Sequence, residues 1–167
     1  MTRIDLKLEP LTAEAFAPYG DVMEVCEANK IIPINYGKTE RHHDLATVDV
    51  ADENGSPVIS IFRSVPTQLP FQVKIMERHP LGSQAFMPLT GNPYVVLVAP
   101  AGELDPGQIR AFFVQTRQGV NYHKGTWHHY CLGLNISNDF LVVDRGGEGD
   151  NCDEIELPED LEIYVNH

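Results

Sequence analysis

The stretch FQVKIMERHPLGSQAFMPLTG, residues 71–91, decides the reading of this chain. Its first nine residues alternate. Successive side chains of an extended strand point to opposite faces, so Phe71, Val73, Ile75, Glu77 and His79 share one face, and Gln72, Lys74, Met76 and Arg78 the other. The first face is apolar for three residues and then ends in a carboxylate and an imidazole. An apolar face turns inward, and a buried carboxylate is rare without a partner. The strand is therefore expected to carry Glu77 and His79 into the mouth of an interior cavity. Leu81-Gly82 then marks a turn, and the next strand can return Gln84 beside them.

Outward from this stretch the pattern stays β. Short runs at 45–50, 58–63, 71–79, 84–89, 94–99, 110–114, 127–132 and 140–144 are separated by turn signals such as Glu53-Asn54-Gly55-Ser56, Gly91-Asn92-Pro93, Asp105-Pro106-Gly107 and Lys124-Gly125. Many short strands at regular spacing give a sandwich or a barrel. The helix candidate lies near the start, where Thr12 can cap a turn running to Phe16 before Pro18 and Gly20 end it. Residues 22–25 and 31–34 read as further short strands. No Ser/Gly linker and no repeat divides the chain. We expect one domain over 1–167, with 1–43 as an N-terminal extension and 146–167 as an acidic C-terminal tail.

A chain of 167 residues can bury a core without disulfides or a structural metal. Its composition, 43% hydrophobic and 22% charged, argues against disorder. The net charge is −12, and it is uneven. Residues 146–167 hold eight acids and no Lys or Arg, leaving sixteen acids against twelve bases elsewhere. Such a tail repels phosphate backbones, so nucleic acid is not an expected partner, and its plain reading is a solvated arm. Cys26, Cys131 and Cys152 are odd in number and lack CxxC spacing, which fits neither a disulfide framework nor a zinc ribbon. The N-terminus has no apolar h-region, and no apolar run approaches about 18 residues. The expectation is a cytoplasmic protein with no membrane association. No phosphate-binding glycine loop, nucleophile elbow or dinucleotide fingerprint is present, so a nucleotide cofactor is unsupported.

Glu77-x-His79-x4-Gln84-x6-Gly91 resembles the first cupin motif in spacing, with Glu at the first His position and Gln at the Glu position. His123-x-Gly125-x2-His128 resembles the second, with His123 in place of Pro. The resemblance implies a cupin-like, jelly-roll β-barrel. It also brings Glu77, His79, Gln84 and His128 to one barrel axis. That set offers O, N, O and N donors, which suits a divalent metal of intermediate hardness. The alternative is a hydrogen-bonded polar pocket without metal.

A second resemblance is more specific. Glu40-Arg41-x-His43-Asp44-Leu45-Ala46, the run 77–86, Arg110-Ala111-Phe112, the run 118–123, Trp127-His128-His129, Asp144-Arg145-Gly146-Gly147 and Asp150-Asn151-Cys152 occur in order along nearly the whole chain. Together they are similar to the ureidoglycolate lyase family. The resemblance implies cleavage of ureidoglycolate into urea and glyoxylate, a role in allantoin breakdown, a homodimer and nickel. Edge strands that need cover, and an N-terminal segment able to supply a strand to a partner, also fit a dimer.

On this reading Glu77, His79 and His128 are the candidate catalytic residues. Gln84 binds substrate or metal. Arg63, on one face with Ile59 and Ile61, and Lys124, beside Gly125, are candidates for the substrate carboxylate. Each has a plain alternative: an arginine at a strand end reaching water, and a solvated turn lysine. Of the adjacent pair His42-His43 only one, His43, is expected to reach the site. His128 should point inward with Tyr130 and Leu132, leaving His129 at the surface or an interface. Asp144 is expected at a strand end, pairing Arg145 or Arg41. The rival functions are a hydrolase that releases ammonia, a cupin dioxygenase or isomerase using iron or manganese, and a non-enzymatic small-ligand-binding cupin. The last would normally be joined to a DNA-binding module, and no such segment is visible.

Overall fold

The computed structural model describes every residue except Thr116. It is mainly β, with one short α-helix, Ala13–Phe16. The Thr12 hydroxyl caps that helix by accepting from the Ala15 N–H at 3.1 Å, as the sequence predicts. No helix among the described residues is long and apolar enough to cross a membrane.

A central sheet runs, in spatial order, Asp153–Glu156, Ile75–Arg78, Trp127–His128, Tyr94–Ala99, Arg110–Val114 and Leu8–Pro10. A facing sheet runs Gly20–Met23, Gly119–Tyr122, Gln84–Pro88, Asn138–Gly146 and Ser56–Ser64. A third sheet, of Thr2–Leu6, Leu161–Val165 and Phe71–Val73, contributes to the packing on the other side of the central one. Among the described residues these sheets do not close into a barrel. They form an open sandwich of cupin-like kind. The hairpin Lys30–Ile34 and Thr39–His43 is a two-stranded sheet of its own.

Tyr94–Ala99 shows how the core is divided. All six residues are buried, the pattern of a strand covered on both faces. Tyr94, Val96 and Val98 pack with Phe16, Phe86, Phe112, Val120, Tyr122, Phe140 and Val142 on the side of the facing sheet. Val95, Leu97 and Ala99 pack with Met76, Trp127, Ile163 and Val165 on the other side. Each large apolar side chain fully withdrawn from water contributes about 1.5–3 kcal/mol. The strands beside Tyr94–Ala99 are therefore a firm platform for polar residues.

Several segments differ from the sequence reading. The expected strand 71–79 is two strands, Phe71–Val73 and Ile75–Arg78, in different sheets. The ladder breaks at Lys74, whose carbonyl accepts from the Leu157 N–H. Val73 and Met76 consequently share one core cluster, and the expected alternation does not run through. Residues 45–50 form no strand, and side chains take part of their backbone bonding: Asp49 N–H donates to Ser83 Oγ, Ser83 N–H donates to the Asp49 carbonyl, and Asn121 Nδ2 donates to the Thr47 carbonyl. The run 127–132 is interrupted between Trp127–His128 and Leu132–Gly133. The acidic stretch 146–167 is not a free arm. Asp153–Glu156 pairs with Ile75–Arg78, and Leu161–Val165 pairs in parallel with Thr2–Leu6. Its acids face water while Ile163 and Val165 are fully buried.

Candidate active site

Glu77 and His128 stand opposite one another on adjacent strands of the central sheet. Directly opposed residues share a face, and both turn toward the facing sheet. His128 is 1% exposed. Its ring lies flat on Tyr122 from the facing sheet, with centroids 4.2 Å apart and planes 2° apart. His79 follows Arg78, at the end of its strand, and its ring centroid is 5.1 Å from that of His128. Gly125, at φ +81°, helps place it: the Gly125 N–H donates to the His79 carbonyl at 3.0 Å. Gln84 comes from the facing sheet, is buried, and brings Oε1 to 3.2 Å from His79 Nε2. Glu77, His79, Gln84 and His128 thus converge between the two sheets.

The ionisable groups of this cluster are set by their surroundings. Burial pushes the Glu77 carboxyl up; His79 opposes that shift, and Glu154, directly across the strand pair, adds to it. Burial, with His79 next, holds the His128 imidazole down at about 3, so it is neutral at physiological pH. The 3.7 Å approach of His128 Nδ1 to Glu77 Oε1 is therefore not an ion pair. His128 Nδ1 lies 3.3 Å from the His129 carbonyl, and its Nε2 is buried with no hydrogen-bond partner. His79 Nδ1 is 2.7 Å from the Asn151 carbonyl, which can only accept. Nδ1 therefore carries a hydrogen, and in the neutral ring Nε2 presents a lone pair to the same point as Gln84 Oε1.

This donor set fits a metal ion. Glu77, His79 and His128 each offer a ligand atom, all within 4.8 Å of one another. Gln84 Oε1 adds an oxygen. An orphaned buried imidazole nitrogen, and a second imidazole oriented by a backbone carbonyl, are features of histidines that ligate metals.

The other candidates stand elsewhere. Arg63 is exposed and forms a bidentate pair with Asp139 at 2.8 and 2.9 Å. Lys124 Nζ pairs with Asp52 at 2.6 Å and Asp49 at 3.4 Å. It lines a separate cleft of about 530 Å³ with Asp21, Ser83 and His123, whose Nε2 meets Asp21 Oδ2 at 3.0 Å. His42 bonds Asn29, and His43 lines another pocket with Asn29 and Lys30. Neither joins the cluster. His129 is not at the surface: it is 3% exposed and packs edge-on against Phe71 at 5.3 Å. Its N–H still bonds the Leu97 carbonyl of the neighbouring strand, and Phe71 of the third sheet covers that face; Tyr130, expected to point inward with Leu132, is exposed.

Three neighbours of the site were not assigned to it by the sequence. Tyr122 covers His128, and burial raises its hydroxyl well above the usual range. Asn151 orients His79 by its carbonyl, and its side chain also accepts from the Leu81 N–H. Asp144 accepts from Gln84 Nε2 at 2.9 Å, and Arg145 instead binds the carbonyls of Asp52, Glu53 and Glu148. The backbone contact of Asn151 carries no residue-type signal, but the inward phase of Asp144 could have been counted from Phe140 and Val142.

A cluster that offers a carboxyl biased toward its protonated form, two imidazoles and an amide oxygen has the groups to exchange protons or to hold an ion. The fold is a small β-sandwich that holds this cluster of ionisable groups between two of its sheets. The chain belongs to the ureidoglycolate lyase family, whose model matches residues 3–164. It is similar to a ureidoglycolate lyase of Burkholderia mallei, 59% identical over 156 residues that cover 93% of this chain and 91% of that one. A Pseudomonas paraeruginosa ureidoglycolate lyase is 52% identical over 162 residues, covering 96% and 95%. One from Stutzerimonas stutzeri is 50% identical with the same coverage.

Proposed function

We propose that this chain cleaves ureidoglycolate to glyoxylate and urea, and that Glu77, His79, Gln84 and His128 carry the reaction. The observation that supports this reading best is their convergence in one cluster in a chain that belongs to the ureidoglycolate lyase family.

Ureidoglycolate bears, on one carbon, a carboxylate, a hydroxyl and a urea nitrogen. Cleavage removes the hydroxyl proton, forms the aldehyde as the carbon–nitrogen bond breaks, and returns a proton to the departing nitrogen. Where no ion is bound, Glu77 suits both transfers, because a carboxyl raised by burial can accept a proton and give it back. His128 stays neutral and offers a lone pair where water is excluded. His79 and Gln84 present the remaining lone pairs. A divalent ion held by Glu77, His79, Gln84 and His128 would supply electrostatic stabilisation of the developing alkoxide. Nickel is the ion that the resemblance implies.

Release of ammonia would instead require attack on the ureido carbonyl. Burial pushes the Cys131 thiol up to about 12, which leaves it protonated and a poor nucleophile for that route. We read the chain as one cupin-like domain. A homodimer, a cytoplasmic location and a place in allantoin breakdown extend the same family reading.

The test is to incubate purified protein with ureidoglycolate and measure glyoxylate, urea and ammonia separately. Urea in step with glyoxylate is expected. Ammonia in step with glyoxylate, without urease, would overturn the assignment. His128→Ala should lower turnover about a hundredfold or more with the fold intact.

A further inference from the structure

Asp144 lies in the strand Asn138–Gly146, beside Gln84–Pro88 in the facing sheet. Phe140 stands opposite Pro88 and Val142 opposite Phe86. Phe140 and Val142 point into the core between the sheets. Two residues further on, Asp144 points the same way and reaches Gln84.

The contact has a direction. A carboxylate accepts hydrogen bonds and does not donate them. Asp144 Oδ2 can therefore meet only the NH₂ end of the Gln84 amide, at 2.9 Å. The other end, Oε1, is then held 3.2 Å from His79 Nε2. At the far side of His79 the Asn151 carbonyl, also an acceptor only, takes the Nδ1 hydrogen at 2.7 Å. Asp144 orients Gln84 from one end and Asn151 orients His79 from the other, so in the neutral imidazole two acceptors, Gln84 Oε1 and His79 Nε2, meet with no hydrogen between them. A reversed Gln84 amide would set oxygen against the Asp144 carboxylate. It would also donate its N–H to His79 Nε2 and occupy the lone pair that faces the pocket.

We propose that Asp144 is a positioning residue for the reaction: it holds Gln84 with its carbonyl oxygen toward the pocket and keeps His79 Nε2 free. This rests on the reading of the Glu77–His79–Gln84–His128 pocket as the reaction site.

Asp144→Asn tests it with almost no change of shape. The amide that this substitution introduces can donate to Gln84 Oε1, and Gln84 can then turn its NH₂ onto His79 Nε2, so the Gln84 amide reverses while His79 keeps its bond to Asn151. The expected result is a fall in kcat of about tenfold or more, the usual scale for an outer partner of a site residue. Thermal midpoints measured alongside report on folding. Exchanging the two groups, Gln84→Glu with Asp144→Asn, returns an oxygen to the pocket and leaves the net charge unchanged. That double variant should recover to within about threefold of wild type. A residue with a merely structural role would not be rescued by this exchange. Independently of turnover, the Gln84 side-chain NH₂ signal in a ¹H–¹⁵N spectrum, identified by its loss in Gln84→Ala, should shift in Asp144→Asn. Unchanged kcat in Asp144→Asn, an exchange variant no better than the single one, or an unshifted Gln84 signal would each overturn the proposal. A fully active Gln84→Ala would instead remove Gln84 from the reaction site, and this inference with it.

Discussion

His128 predicts an acid sensitivity whose size follows from its burial. The perturbation is His128→Asn, which replaces a titratable ring by a neutral amide. An imidazole in the unfolded chain titrates near 6.5, whereas the buried ring is held down at about 3. Between those values the unfolded state binds a proton that the folded state does not. Stability from this group is therefore fully present above the unfolded value and is lost as pH falls toward the folded one. Below about 6.5 the loss approaches about 1.4 kcal/mol per pH unit, which gives about 2 kcal/mol between pH 7 and pH 5. His129, held at about 4 by burial, adds a similar loss of the same sign. Glu77, raised by burial, acts in the opposite sense, and it is present in both proteins. The assay is urea unfolding at the two pH values with a chelator present throughout. Wild type should lose about 2 kcal/mol more than His128→Asn on going from pH 7 to pH 5. Packing lost in the variant is common to both pH values and cancels in the difference. Equal losses in the two proteins would show that His128 is not held neutral by burial, and the account of the pocket's electrostatics would fail with it.

Other outcomes can be checked on the same protein. Glu77→Gln should lower glyoxylate formation about a hundredfold or more while the far-UV spectrum stays that of wild type; near-normal turnover would remove Glu77 as the proton carrier. Arg63→Ala should leave KM within about twofold, because the exposed Arg63–Asp139 pair has the small energy of a surface ion pair; a large rise in KM would return Arg63 to the substrate. Dialysis against a chelator should lower turnover, and nickel(II) should restore it, with the bound ion counted by elemental analysis; full activity in metal-free protein would favour the hydrogen-bonded pocket. Phe112→Ala should cost about 3–5 kcal/mol in urea unfolding, since Phe112 is fully buried and meets Phe16 edge-on at 5.7 Å.

The sequence by itself determined what local rules control. Alternation and turn residues gave a mainly β chain, and the strands at 94–99 and 110–114 were legible to the residue, because a run bounded by turn signals has few other ways to bury its apolar side chains. Thr12 and Pro18 similarly bounded the one short helix. The motif spacing of Glu77, His79, Gln84 and His128 marked the cluster, although Gln84 comes from a different sheet and the alternation that suggested the inward phase breaks at Lys74. Where a strand stops is not local. Residues 71–79 carry one continuous alternation, yet the chain changes sheets at Lys74, because Phe71–Val73 pairs with Leu161–Val165 and Ile75–Arg78 with Asp153–Glu156, both distant in sequence. Residues 45–50 look like a strand and are a loop in which Ser83 bonds the backbone of Asp49 and Asn121 that of Thr47. The acidic terminal stretch reads as solvated by charge, but Ile163 and Val165 bury against strands from the other end of the chain. The electrostatics of the site were likewise a tertiary decision. Burial sets His128 neutral and raises Glu77, and the direction of the Gln84 amide depends on Asp144, 60 residues away in sequence, where no pattern along the chain records the contact.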